Sequence, residues 1–237
     1  MMSAATYDER RGRLQTYFDA TAAAAWAQLT SDAPVSRIRE TVRQGRDRMR
    51  ATILSWLPTD MTGSRLLDAG CGTGALAVEA AQRGAAVAAI DIAGSLVALA
   101  KDRAPAGLEP AIDFQVGDML NPALGTFHHV VAMDSLIHYP TRQIIAVLAQ
   151  IAPRCSRSMV FTFAPQTPLL SLMHGLGRLF PRADRAPAIE PVQAARLRQA
   201  IAAEPALAGW RIGRSIRIAS GFYTSQALEL VRERVRP

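Results

Sequence analysis

The nine residues Leu66-Leu67-Asp68-Ala69-Gly70-Cys71-Gly72-Thr73-Gly74 constrain this chain more than any other stretch of it. A short apolar run passes straight into glycines at alternate positions, and a helical pattern, Ala75–Arg83, follows without a break. Glycine has no Cβ, so such a loop turns tightly and lets a ligand approach its backbone, while the helix behind it presents unpaired N–H groups. The strand, loop and helix together predict a nucleotide-like ligand at the carboxyl end of a parallel strand.

With Ala75 in the last position the glycines also satisfy the dinucleotide pattern Gly-x-Gly-x-x-Gly/Ala. Three details weigh against that reading. Asp68 stands in the strand two residues before the first glycine, where it suits an ammonium group and would repel a pyrophosphate. Gly74 adds a further glycine at spacing two, and the chain after the glycine loop is too short for a second catalytic domain.

From Pro58 onward, apolar runs alternate with helical patterns: Arg65–Ala69, Ala75–Arg83, Ala86–Ile90, Ser95–Arg103, Ile112–Val116, Val130–Met133, Arg142–Ile151 and Met159–Ala164. That alternation predicts βαβ units, and so an α/β fold with a mostly parallel sheet and helices on both faces. Strand patterns at Arg211–Ala219 and Phe222–Arg232 bring the expected total to seven. Before the core, Tyr7 to Leu57 reads as a helical arm interrupted at Asp32–Ser36, with Ser36 as an N-cap. Its second helix carries an apolar stripe of Ile38, Val42, Met49, Ile53 and Leu57, and Arg37, Arg39, Arg43, Arg46, Arg48 and Arg50 form a basic face. Between the fifth and sixth strands, Gln166 to about Leu207 breaks the alternation and predicts a helical cap insertion, with a later helix over Val192–Ile201. The expected division is a helical arm or lid over 1–58, a ligand-binding core over 59–165, a cap over the substrate site at 166–208 and completing strands over 209–237.

Composition narrows the function classes. With 49% hydrophobic and 20% charged residues, the 237-residue chain has material for a sizeable core. Cys71 and Cys155 suit neither a disulfide framework nor a structural zinc site, which points to a reducing, cytoplasmic setting without a protein-bound metal. Met1 to Arg13 lacks the apolar segment of a secretory signal. Ser158–Gly177 has no formal charge and nearly the length of a membrane span, but Pro165, Gln166, Thr167, Pro168 and His174 argue against one. The net charge of +7 suggests an anionic partner, although arginine so dominates the cations, with Lys101 as the one lysine, that biased composition is a competing cause. A nucleic-acid partner would account for the basic helix, but aromatic residues make up only 6% of the chain and do not interleave a basic stripe, so none is expected.

More acids stand at the ends of the expected strands. Asp91 closes the second, where a carboxylate can accept both hydroxyls of a ribose; Asp118 closes the third, within reach of an adenine amine; Asp134 ends the fourth. Any one of these could be a solvated turn or a helix cap, yet together they share the carboxyl edge of one sheet. The set resembles the Rossmann-like S-adenosylmethionine-dependent methyltransferases over roughly residues 60 to 164: the glycine loop is Asp68–Gly74, the ribose acid Asp91 and the adenine acid Asp118 after Gly117.

Segments outside that core resemble the magnesium-protoporphyrin IX O-methyltransferases of chlorophyll and bacteriochlorophyll synthesis. They are Tyr17-Phe18-Asp19-Ala20-Thr21 with Trp26, Met133-Asp134-Ser135-Leu136-Ile137-His138-Tyr139-Pro140, Phe163-Ala164-Pro165-Gln166-Thr167-Pro168, and Phe222-Tyr223-Thr224-Ser225. The resemblance implies esterification of a propionate carboxylate of magnesium protoporphyrin IX, with S-adenosylhomocysteine as the second product. It implies cofactor contacts at Asp68, Gly70, Cys71, Gly72, Gly74, Asp91, Ile92, Asp118, Met119, Asp134, Ser135 and Tyr17, and substrate contacts at His138, Tyr139, Leu169, Met173 and Arg178. A carboxylate is a nucleophile at neutral pH without a base, so proximity and alignment are expected to dominate, and His138 is expected to orient it. The apolar patch Leu169–Phe180, rimmed by Arg178, Arg182 and Arg185, suits a planar macrocycle carrying carboxylates. The porphyrin-binding subunit of magnesium chelatase and an anionic membrane surface are the macromolecular partners this implies. A departure stands at Thr30: members of the chlorophyll branch carry a tyrosine there within an Arg-Arg-Ile-Tyr run, whereas this chain reads Ala27-Gln28-Leu29-Thr30. Another methyltransferase of the same fold, acting on a quinone, phenol or amine, is the competing expectation.

Overall fold

A computed structural model describes residues 6–19, 28–30, 35–108, 111–166 and 189–233. In chain order the elements are α1 (Tyr7–Tyr17), α2 (Arg37–Trp56), β1 (Arg65–Ala69), α3 (Ala75–Gln82), β2 (Ala86–Asp91), α4 (Gly94–Arg103), β3 (Ile112–Val116), β4 (Phe127–Ala132), α5 (Thr141–Ile151), β5 (Cys155–Phe163), α6 (Ala194–Ala203), β6 (Trp210–Ser220) and β7 (Tyr223–Arg232). The strands form one seven-stranded sheet in the order β3-β2-β1-β4-β5-β7-β6. Pairing is parallel from β3 to β5, and β7 then runs antiparallel to both β5 and β6. The expected Rossmann-like, mostly parallel sheet of seven strands is present.

Sequence order reverses between β1 and β4, so the helices leaving these strands cover opposite faces and a crevice opens above their carboxyl ends. Period-two alternation sorts the strand side chains between two cores. Leu66, Val87, Ala89, Val131 and Val160 pack with Met49, Ile53 and Leu54 of α2 and Leu76 and Ala77 of α3. Leu67, Ala69, Ala88, Ile90 and Phe161 face the other way, onto Ile144 and Leu148 of α5 and Leu197 and Ile201 of α6.

Strands reach further than the apolar runs suggest. β4 begins at Phe127 rather than Val130, and β5 at Cys155 rather than Met159, because polar residues between find partners across the ladder. His129 and Ser158 lie opposite each other, with Nδ1 and Oγ 2.7 Å apart. Burial, more than the nearby Arg157 and His128, pushes the His129 pKa down to about 4 and keeps the ring neutral. The helix expected over Val192–Ile201 starts later, at Ala194, since Val192 is drawn into a bridge with Pro165.

One reading of α2 is corrected. Ile38 is 55% exposed rather than part of the buried stripe: Thr41 already meets Gly221, the turn between β6 and β7, and Ile38 lies one turn farther out. Two arginines of the basic face are engaged by the core, Arg46 with Asp134 at 2.7 Å and Arg50 with Glu79 at 2.5 Å.

The N-terminal arm is tied to the core by capping as well as packing. No side chain caps α4 through its own N-cap residue, Ala93. Instead Asp19 reaches across, and its Oδ1 accepts from the Ser95 N–H and Oγ–H at 3.0 Å each. Asp19→Ala is therefore expected to cost about 1 kcal/mol of stability, as other lost caps do, read as a lower thermal midpoint; an unchanged midpoint would show that water replaces the carboxylate without loss. Farther along the arm, Gly45 of α2 lies against Tyr223, where an added Cβ would stand 2.8 Å from the ring Cγ and 2.9 Å from the tyrosine Cβ. Gly45→Ala should thus destabilise by about 1 to 3 kcal/mol despite alanine's better helix propensity; denaturant unfolding reads the sign, and a gain in stability would mean that α2 shifts freely on the sheet.

Candidate active site

The crevice above β1 and β4 is a cavity of about 300 Å³. Its floor is the glycine loop. Gly70, Gly72 and Gly74 have φ of 89°, 53° and 81°, the left-handed region where glycine avoids the steric cost of a Cβ. The loop is held by the end of β2: the N–H groups of Gly70 and Cys71 donate to the Ile90 carbonyl at 2.8 and 3.0 Å, and the Gly72 N–H donates to Asp91 Oδ2 at 2.9 Å. Asp91 Oδ1 accepts from the Ala93 N–H at 2.9 Å. Burial raises the Asp91 pKa, with its backbone donors opposing that shift.

Asp68 lines the cavity and is 2% exposed. Among the described residues its Oδ2 is buried without a hydrogen-bond partner. Burial, and then the charge of Asp91, push its pKa up to about 7, against the pull of the Ala77 N–H. A carboxyl group held this way has an acceptor to offer and gains by meeting a cation. Cys71, beside it, is buried, and its thiol is pushed well up, first by burial and then by Asp68 and Asp91, so it is not a thiolate nucleophile.

The other two strand-end acids are engaged by the arm. Asp118 Oδ1 accepts from the Tyr7 hydroxyl at 2.8 Å and the Leu120 N–H at 2.9 Å, and Oδ2 pairs with Arg11. Asp134, at φ 55°, is the one non-glycine residue with positive φ among the described residues. Its carboxylate accepts from Arg46 at 2.7 Å and from Tyr223, Thr162 and Ser225 hydroxyls at 3.2 Å each. Next in the chain, Ser135 Oγ donates to the Ala69 carbonyl at 2.8 Å and joins β4 to the glycine loop.

His138 ends the short 3-10 turn Leu136–His138 and is 8% exposed. The Phe18 ring meets it edge-on with centroids 6.0 Å apart. Tyr139 is buried and stacks on Tyr7 at 5.4 Å.

Of the residues singled out from sequence, Asp68, Gly70, Cys71, Gly72, Asp91, Ile92, Asp118, Met119, Asp134, Ser135, His138 and Tyr139 line this cavity together. Gly74 does not; an added Cβ there would stand 2.9 Å from Phe114 Cε1 and 3.0 Å from Ala100 Cβ, so its place is helix packing. Tyr17 is not among the lining residues either: Tyr7, Leu14 and Phe18 share the inward face of the arm, and Tyr17 touches the edge of Phe18 from outside it. Thr30 lines the cavity, and its carbonyl and Oγ accept from Arg103 at 3.1 and 2.9 Å. Leu169, Met173 and Arg178 lie outside the described residues, as do His174, Arg182 and Arg185.

The arm forms part of the wall through residues that the sequence did not single out as contacts. Tyr7, Leu14 and Phe18, together with Arg43, Arg46, Asp47 and Arg50, line the cavity. The signal was available as one helix face at spacings of three, four and seven, but α2's arginines read more simply as a solvated surface. Among the described residues no group of three or more His, Cys, Asp or Glu could hold a metal ion.

Comparison with known proteins agrees with this geometry. A family model described as "Magnesium-protoporphyrin IX methyltransferase C-terminus" matches residues 132–232, and one described as "Methyltransferase domain" matches residues 66–157. The magnesium-protoporphyrin O-methyltransferase of Rhodobacter capsulatus is 49% identical over 224 residues, 94% of this chain and 97% of that protein. The chloroplastic magnesium protoporphyrin IX methyltransferase of Arabidopsis thaliana is 31% identical over 97% of this chain and 78% of its own length. The crystal structure of the Synechocystis magnesium protoporphyrin IX methyltransferase with bound S-adenosylhomocysteine superposes with a TM-score of 0.81 at 28% identity, covering 94% of this chain and 99% of the other. With a relative that similar over nearly the full length of both proteins, the chain belongs to the magnesium-protoporphyrin O-methyltransferase family.

Proposed function

We propose that this chain methylates a propionate carboxylate of magnesium protoporphyrin IX with S-adenosylmethionine, giving the monomethyl ester and S-adenosylhomocysteine. The observation that carries the reading is that a single cavity is lined both by the glycine loop with Asp68 and by His138 with Tyr139. The residues fit the cofactor: the partnerless Asp68 Oδ2 is an acceptor for an ammonium group, and Asp91 keeps lone pairs beyond its two backbone bonds for ribose hydroxyls. Asp118 meets the adenine end, while Asp134 spends its oxygens on holding Arg46 and β7 in place.

When bound, the cofactor supplies an electrophilic methyl group, and a carboxylate needs no deprotonation to take it. The protein's part is alignment and exclusion of water. His138 donates a hydrogen bond to the propionate, fixing which oxygen faces the methyl. Phe18 and Tyr7 cover the position from the arm.

So poorly soluble a substrate is best handed over rather than taken from bulk water. The exposed Arg37, Arg39 and Arg48 of α2 offer a basic surface to the porphyrin-binding subunit of magnesium chelatase or to an anionic membrane, on which the protein docks peripherally from the cytoplasm. No described helix is long and apolar enough to cross a membrane.

Turnover followed by mass spectrometry tests the reaction, with metal-free protoporphyrin and a quinol precursor run alongside. The magnesium-porphyrin monomethyl ester is the expected product, and methylation of the quinol in its place would move the chain to another substrate class. His138→Ala should lower kcat by roughly ten- to a hundredfold with the cofactor Kd near wild type; full activity would take His138 out of the mechanism. Asp68 gives the pH dependence. Its ligand-free pKa of about 7 lies above the usual carboxylate value, so below that pH the group carries a proton that a cationic ligand must expel. The cofactor Kd should then rise by up to roughly tenfold per unit as pH falls below about 7, measured by calorimetry. Asp68→Asn should flatten the profile, and a flat wild-type profile would place the ammonium elsewhere.

A further inference from the structure

A three-residue 3-10 turn pairs its first carbonyl within the turn and leaves the others open, so what captures those helps fix how its last side chain points. In Leu136–His138 each carbonyl is taken from a different direction. The Tyr139 N–H donates to the Leu136 carbonyl at 3.1 Å, and the Glu190 N–H, from the insertion, donates to the Ile137 carbonyl at 2.9 Å. The His138 carbonyl accepts from Arg10 Nη1, in α1, at 2.9 Å. The same Nη1 donates to the Glu190 carboxylate, also at 2.9 Å. Arg10 and Glu190 thus close a ring around the turn: one ties down the carbonyl of His138, the other that of its neighbour, and each holds the other. Both partners are partly shielded, with 18% of the Arg10 and 30% of the Glu190 side chain exposed, so the pairing is screened less than one at the open surface.

One helical turn of α1 therefore serves the two halves of the cavity separately. Tyr7 and Arg11 bond Asp118 on the cofactor side, and Arg10, a neighbour of Arg11 in sequence, bonds the backbone of His138 on the other. We propose that Arg10, locked by Glu190, is a positioning residue for methyl transfer: it sets the backbone of His138 and so the direction of the imidazole. The inference rests on the reading of His138 as the residue that orients the carboxylate. It also gives Glu190, which lies within the 166–208 insertion, a part in the reaction.

A thermodynamic cycle between Arg10→Met and His138→Ala tests it, with kcat, the KM of the porphyrin and the cofactor Kd measured for each enzyme. Arg10→Met should lower kcat by roughly fivefold or more, leave the cofactor Kd within about twofold, and have no further effect in the His138→Ala background, because residues acting through one another are non-additive. Arg10→Lys, which keeps one donor, should recover part of the loss, and Glu190→Gln, which keeps an acceptor without the charge, should give a smaller loss with the same dependence on His138. Arg13→Met, at an exposed position of the same helix, is the control and should leave kcat, KM and the cofactor Kd near wild type. If Arg10→Met lowers kcat equally with and without His138, the inference fails while His138 keeps its role. If His138→Ala is fully active, the reading beneath it fails and takes the inference with it. Should Arg10→Met not fold, Glu190→Gln in the two backgrounds decides the same question.

Discussion

Two backbone N–H groups on one carboxylate hold the site open. Asp91 accepts from Gly72 on the glycine loop and from Ala93 ahead of α4, so a single side chain sets the distance between the ends of β1 and β2. Burial works against its charge, and the N–H donors offset that cost by stabilising the ionised form. Every other feature of the cavity is referenced to this clamp. Gly70 and Cys71 align on Ile90, Ser135 aligns on Ala69, and Asp68 is left beneath with one oxygen buried and, among the described residues, without a donor.

A parallel sheet that gathers carboxylates at one edge needs cations to meet them, and here both arm helices supply arginines. Arg11 answers Asp118, Arg46 answers Asp134 and Arg50 answers Glu79. Partly buried ion pairs of this kind add little net stability, because desolvation cancels much of the attraction. Their effect is to choose one seating of the arm among many that hydrophobic packing alone would tolerate. Part of the chain's positive charge is thus spent inside the fold.

The core was legible because its signals are local. Apolar runs ending in Gly70 or in Asp91, Asp118 and Asp134 carry both the strand and the chemistry at its tip within a few residues, and the structure gathers those acids around one cavity. What escaped depends on distance in sequence. Nothing near Asp134 announces that Arg46, Tyr223 and Ser225 converge on it from α2 and β7. Nothing near His129 announces Ser158 as its partner, so the polar start of β4 was left out of the strand. Ile38 continues a perfect helical stripe and is nonetheless exposed, because the hairpin below it ends one turn too soon, which no periodicity encodes.

The sheet order carries a consequence for how the chain comes together. β7 lies between β5 and β6 yet is made after both, so during synthesis β5 waits with an open edge and β6 has no neighbour to join. The parallel strands can assemble early around their crossover helices, but the sheet closes only when a late segment slides into an interior place. Until then the long apolar β5, with Met159, Val160, Phe161 and Phe163 all buried in the finished protein, is an unpaired template for any other extended chain. Chaperone demand and aggregation during expression are set in that interval, well before the catalytic edge has anything to bind.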